Sequence, residues 1–197
     1  KTKKPTGEIF EYIDIDSINN KTQKVSSPKL LKVTEAPSRA AREVKENDVL
    51  FSMVRPYLKN IAFIDTSLSN AIASTGFYVC RSRNSLLPRY LYQLLCSNDA
   101  IDYLMQFMKG DNSPSIRKQD LEKMPILYPS VSEQQEIVRV LDVLLDKEQQ
   151  AKDKLEPILD KINLIKKAIL ARAFRGELGT NDPSEETAVE SLKGVLE

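Results

Sequence analysis

The spacing of apolar positions along this chain takes three forms in succession. Between residues 9 and 80 they come in short β-branched and aromatic runs: IFEYIDI at Ile9–Ile15, VLFSMV at Val49–Val54, and shorter runs at Ile61–Ile64 and Phe77–Cys80. Runs of this kind, separated by polar connections, predict the strands of a mixed sheet. Asp16 to Asn20 and Asn47-Asp48 have turn chemistry, because their side chains satisfy nearby backbone groups. Pro56 has no N–H and interrupts the second run at Arg55-Pro-Tyr-Leu-Lys59. Ser67–Gly76 reads as a polar loop, with Gly76 able to take a backbone shape other residues resist. Lys1–Gly7 reads as a mobile basic lead-in, and residues 21–36 carry no clear pattern.

From Pro88 the period becomes helical. Pro88–Cys96 starts with proline in its first turn, and Ser97-Asn98-Asp99 supplies cap residues for a second helix. Ile101, Leu104, Met105 and Met108 then form one buried face, closed by Gly110. A loop over residues 111–115 leads to a short helix around Arg117 to Glu122, then to an extended bridge between Pro125 and Pro129.

The third form is a heptad. Ile137, Leu141, Leu144, Ala151, Leu155, Ile158, Ile162, Ile165 and Ile169 follow steps of four and three, with Glu148 the polar member of the series. That predicts a coiled-coil seam on a helix of about 42 residues, about 63 Å long. Such a seam needs a partner helix in this chain or another. Ser132-Glu-Gln-Gln135 reads as the capping box that starts it, and Arg172 and Arg175 suit its negative end before Gly176. Pro157 lies inside the pattern and predicts a kink. Taken together this is an α+β chain. A small mixed β-sheet and helical domain spans residues 1–130 and a long coiled-coil helix residues 131–177. A polar loop with a short helix at Ser184–Leu196 completes residues 178–197.

Charge sharpens the division. The net charge is +1, but residues 1–130 hold 19 Lys and Arg against 14 Asp and Glu, whereas residues 131–197 hold 10 against 14. A basic head suits a polyanion. The chain has no histidine, which removes histidine-based nucleophile activation, general bases and metal sites. Cys80 and Cys96 lie in apolar surroundings without metal spacing and read as reduced thiols of a cytoplasmic protein. No apolar run is long enough to span a membrane, and no apolar leader opens the sequence. Neither a glycine-rich nucleotide cradle nor a methyltransferase base-holding motif is present. No cofactor is expected, and the carboxylates of the long helix read as a solvated face rather than a metal site.

Several stretches resemble one family. Residues 36–60, APSRAAREVKENDVLFSMVRPYLKN, look like the central motif of a target-recognition domain in type I restriction–modification specificity subunits, and Ser74-Thr-Gly-Phe77 fits the same domain. Pro125–Pro129 with Glu133–Val138 is similar to the family's entry into its long helix, Ile169–Leu178 to the exit, and Asp182–Glu186 to the tail. The resemblance implies a non-catalytic subunit that reads a split DNA sequence. It would hold a DNA adenine methyltransferase subunit, and often a restriction subunit, on that DNA. Family members usually carry two recognition domains and two antiparallel long helices; this sequence has one of each. It is expected either to be a half subunit that forms a homodimer through the seam or to be half of a longer chain. A symmetric pair would read two copies of one half-site in opposite orientation.

The candidate DNA-binding residues are Ser38, Arg39, Arg42, Arg55, Tyr57 and Lys59 around the central motif. Asn70, Asn112 and Arg117 in later loops, Arg81 and Arg83, and Lys29 and Lys32 complete the set. Arginine suits guanine edges, asparagine suits adenine, and lysine suits phosphate. Two other classes compete. One is a coiled-coil scaffold with a protein-binding head. The other is a nuclease using Asp65, Asp111 and nearby carboxylates.

Overall fold

The computed structural model describes residues 2–68 and 71–178. Its strands are β1 (Ile9–Ile13), β2 (Ile18–Asn19), β3 (Lys24–Val25), β4 (Lys29–Lys32), β5 (Ala40–Glu43), β6 (Asp48–Ser52), β7 (Ile61–Phe63), β8 (Ile72–Ser74) and β9 (Phe77–Arg81). Its helices are α1 (Pro88–Cys96), α2 (Asn98–Met105), α3 (Lys118–Glu122) and α4 (Val131–Phe174). One sheet has the order β4-β1-β8-β5, a second β7-β6-β9, and β2 pairs with β3. All pairings are antiparallel except β1 with β8. The chain divides into two compact units, Lys1–Val140 and Leu141–Glu197.

Strand β6 is the hinge between two cores of the first unit. Its side chains alternate, as a strand requires. Val49 and Phe51 pack with Leu91, Leu95, Ile101, Leu104 and Leu121 from the helices. Leu50 faces the other way, onto Ile13, Ile64, Ala73 and Phe77. Both faces of the strand are therefore buried, which is why its sequence is a continuous apolar run rather than an alternation. A third cluster, Phe10, Tyr12, Ala40 and Ile72, covers the opposite face of the four-stranded sheet.

Several expectations change. The lead-in is tied down: Thr2 bridges Arg42, and Lys3 donates its N–H to the Ala41 carbonyl at 3.1 Å. Residues 21–36 contain β3 and β4, and the polar loop at 67–76 contains β8. Gly76 does not take a left-handed φ; a Cβ there would meet the tip of the Ile15 side chain, Cδ1 at 2.9 Å, which would have to swing aside. Ile101 and Leu104 are buried and Met108 packs against their cluster, but Met105 is exposed. The cap of α4 sits two residues earlier than its sequence suggests. The Ser130 N–H donates to Glu133 Oε2 at 2.8 Å, and the Glu133 N–H to Ser130 Oγ at 3.4 Å. The box is thus Ser130-x-x-Glu133. At the far end Gly176 takes φ +72; its N–H donates to Ala173, and the Glu177 N–H to Arg172. That is a Schellman ending, and both bonds satisfy carbonyls the helix would otherwise orphan. Pro157 does not divide α4, which is one helix from Val131 to Phe174. The expected helix at 184–196 lies outside the described residues.

Among the described residues, nothing covers the seam of α4. Ile137, Leu144, Leu155, Ile158, Ile162, Ile165 and Ile169 are exposed, and Leu141 is half-buried. The buried residue of α4 is instead polar. Gln134 is wholly buried: its Oε1 accepts from the Leu87 N–H at 2.8 Å, and its Nε2 donates to the carbonyls of Ser85 (3.1 Å) and Pro129 (2.9 Å). It binds the first turn of α4 to the loop before α1. Truncation would remove all three bonds and leave a void where the amide is buried. Gln134→Ala is therefore expected to lower unfolding stability of the first unit by about 2–3 kcal/mol, read by urea denaturation. An unchanged midpoint would contradict this role.

Candidate nucleic-acid interface

The chain between β6 and β7 makes a tight excursion. Arg55 (φ 48, ψ 60) and Lys59 (φ 51, ψ 41) are both left-handed, on either side of a 3₁₀ turn at Pro56–Leu58. Left-handed backbone is costly for a side chain with Cβ and persists only where its surroundings hold it. Here they do. The Arg55 N–H donates to the Pro114 carbonyl at 2.8 Å, and its Nη2 to the Asn112 carbonyl at 3.0 Å. Lys59 Nζ donates to the Cys96 carbonyl (3.0 Å) and to Asn98 Oδ1 (2.7 Å) at the α1–α2 junction. Tyr57 between them is exposed. Arg55, Tyr57 and Asn112 thus share one region, although 57 positions separate Arg55 from Asn112. Arg117, in the same loop as Asn112, forms a bidentate pair with the buried Asp120 (3.1 and 2.8 Å), and that guanidinium holds the carboxyl below its usual range.

A second group lies at the four-stranded sheet. Ser38 and Arg39 are exposed before β5, where the Arg39 carbonyl accepts the Thr75 N–H. The Arg39 side chain lines an open polar depression with Asp14, Asp16, Asn20 and Asn60. Arg42 on β5 is half-buried, and its buried Nε has no hydrogen-bond partner. Lys29 and Lys32 are exposed at the ends of edge strand β4, and Lys29 pairs with Asp16 at 2.8 Å. Arg83 is exposed beyond β9. Arg81 is a structural partner: its Nε and Nη2 donate to the buried carboxylate of Asp48 at 2.7 and 2.6 Å. Asn70 lies outside the described residues.

Sequence patterns do not single out Asn20, Asn60 or Asp16. Only Asn20 and Asp16, in a turn, carry any local signal; Asn60 reaches the depression through the strand geometry that follows Lys59. Burial pushes both thiols up to about 12, which keeps them protonated at neutral pH. Among the described residues, no cluster of three or more Cys, Asp or Glu is placed to hold a metal. No described helix is long and apolar enough to cross a membrane.

An α+β head whose loops carry arginine and amide side chains, followed by a long uncovered helix, is the build of a DNA-specificity domain. The family model for the Type I restriction modification DNA specificity domain matches residues 1–157, and the chain belongs to this family. It is 30% identical over 118 residues to the type I restriction enzyme HindI specificity subunit of Haemophilus influenzae, covering 58% of this chain and 26% of that one. It is 27% identical over 139 residues to the EcoDI specificity subunit of Escherichia coli, covering 71% and 30%. Among solved structures it resembles the HsdS subunit from Thermoanaerobacter tengcongensis, with a TM-score of 0.71 and 29% identity over 87% of this chain and 45% of that one. A chain from a structural study of assembly and conformational transition in the type I R-M system gives 0.75 and 28%, over 95% and 48%. The chain therefore spans under a third of those curated relatives and under half of those solved chains.

Proposed function

We propose that this chain is a non-catalytic, sequence-specific DNA-recognition subunit of a type I restriction–modification complex. Its head reads duplex DNA in the cytoplasm. Its long helix pairs with a second helix of the same kind and, with the head, positions a DNA adenine methyltransferase subunit and a restriction subunit. The observation that carries this reading is the fully formed but uncovered apolar seam behind a basic head. Charge along α4 supports an antiparallel pair with a second copy. Residues 131–150 hold five acidic and two basic side chains, and residues 151–174 hold six basic and three acidic. Reversing one copy against the other sets opposite signs together; a parallel pair sets like signs together.

The test is DNA affinity of the assembled complex at two salt concentrations. Binding through phosphates falls steeply as salt rises, whereas a scaffold with a protein-binding head has no such dependence. Arg39→Ala, Arg42→Ala and Arg55→Ala combined should weaken binding roughly 100-fold or more, at about 1–3 kcal/mol for each base-reading contact. Unchanged affinity would place the interface elsewhere. The lone chain is expected to bind weakly.

A further inference from the structure

The turn at Pro56–Leu58 holds two strained residues, yet Tyr57 and Leu58 at its tip are not packed away: they are 42% and 38% exposed. Strain of this kind is ordinarily kept to bury something or to present something. Here Pro56 is buried and anchors the turn, and the two side chains beyond it are presented. The bracing comes from separate directions. Arg55 is bonded to the loop at 112–114, and Lys59 to the α1–α2 junction. Within the turn, the Leu58 N–H closes onto the Arg55 carbonyl and the Lys59 N–H onto that of Pro56, both at 2.9 Å. An aromatic ring and an aliphatic side chain are thus held side by side at a stiff tip.

We propose that Tyr57 and Leu58 form a wedge that enters a base step of duplex DNA and unstacks it. This inference rests on the head being a DNA reader and adds the mode of contact. A wedge must be short, apolar and rigid, since a flexible tip would fold back rather than separate stacked bases. It must also be flanked by cations that hold the backbone on either side. Arg55, exposed, precedes the tip; Lys59 follows it, and its ammonium, held on the Cys96 carbonyl and Asn98 Oδ1, adds positive potential to that flank. The loop bonded to Arg55 adds Lys109 and Asn112 beside Asp111, while Arg117 at its end is paired with Asp120. The nearby carboxylates are Asp99 and Asp102, both exposed on α2, which packs against the turn. A docking patch for another protein would suit a broader apolar surface than a tip set between charged residues.

The probe is a duplex enriched from a randomised pool by the chain assembled with its methyltransferase subunit, then remade with 2-aminopurine at successive positions. Fluorescence should rise at one step on binding and fall back with Tyr57→Ala and Leu58→Ala. Affinity should drop roughly 5- to 150-fold in the alanine variants, the range of one lost stacking contact, with the salt slope unchanged. Tyr57→Phe should restore both readouts, because stacking needs the ring and not the hydroxyl. Thermal melting reports folding, and it should not move, because both side chains are exposed. If the parent chain binds DNA tightly with no fluorescence change at any step, the wedge is overturned while DNA reading stands. If no duplex is enriched and no salt-dependent binding is found, the reading beneath it fails too. Alanine variants that bind DNA normally but lose the methyltransferase subunit would make the tip a protein contact and overturn the wedge.

Discussion

Leu155→Lys combined with Ile162→Lys should leave a folded monomer where the parent chain forms a pair. Both side chains lie on the apolar stripe of α4, 56% and 53% exposed in the single chain. In a symmetric pair each substitution removes two buried side chains, each contributing about 1.5–3 kcal/mol, and sets a charge against the partner seam. The dissociation constant should rise by roughly four orders of magnitude or more. Sedimentation equilibrium of parent and variant reads this directly. The head has its own cores, built from residues before Val140, so its thermal unfolding should persist in the variant. A parent chain that is monomeric at high concentration would remove self-pairing and leave the seam to a helix of another chain.

The second large effect belongs to Arg81→Ala. Asp48 is 1% exposed, and its carboxylate is held by both Arg81 donors and by the Lys45 N–H at 2.7 Å. Removing the guanidinium leaves a buried anion with one backbone donor. Breaking a buried pair in this way costs about 3–5 kcal/mol; with the arginine side chain 38% exposed, a loss of about 2–4 kcal/mol is expected. Guanidinium unfolding should show it as a lowered midpoint with unchanged slope. Asp48→Asn in the same background should recover some of the loss, because the amide carries no charge to strand. Were stability unchanged and only DNA binding lost, Arg81 would be a DNA contact and not a structural one.

These residues also show what the sequence could carry. Strands with strong apolar runs, β1, β6, β7 and β9, are legible because burial on one or both faces writes itself into residue type. So are α1, where proline takes the first position, and the cap of α2, where Ser97 Oγ accepts the Ala100 N–H. Strands β4 and β5 are hidden because Lys-Leu-Leu-Lys and Ala-Ala-Arg-Glu lie at sheet edges, where only Ala40 of the eight residues is fully buried and no apolar run is required. Strand β8 is hidden because Ile-Ala-Ser is small enough to resemble a loop, yet it is wholly buried between β1 and β5. The start of α4 reads two residues late since Ser130 and Ser132 both offer a cap, and only geometry chooses between them. The candidate interface is the least legible. Lys29, Lys59, Arg81 and Arg117 look alike as isolated cations, but each meets an oxygen partner far along the chain or across a short turn. Charge can be read from one residue; what neutralises it cannot.

Pro157 gives α4 a weak point that no end effect explains. With no N–H to donate, it leaves the Asp153 carbonyl without its intrahelical partner, so the ladder of bonds is cut in the middle of a helix that is otherwise continuous. A long helix ordinarily frays inward from its two tips, each turn protected by the one beyond it. This one has a third place from which opening is expected to start, so that one arm could unravel without the other. The arms run over residues 131–156 and 157–174, and the second is only a little longer than the roughly 12–15 residues below which an isolated helix is marginal in water. Under the proposed pairing, helicity in the rod would rest on the seam more than on the single strand.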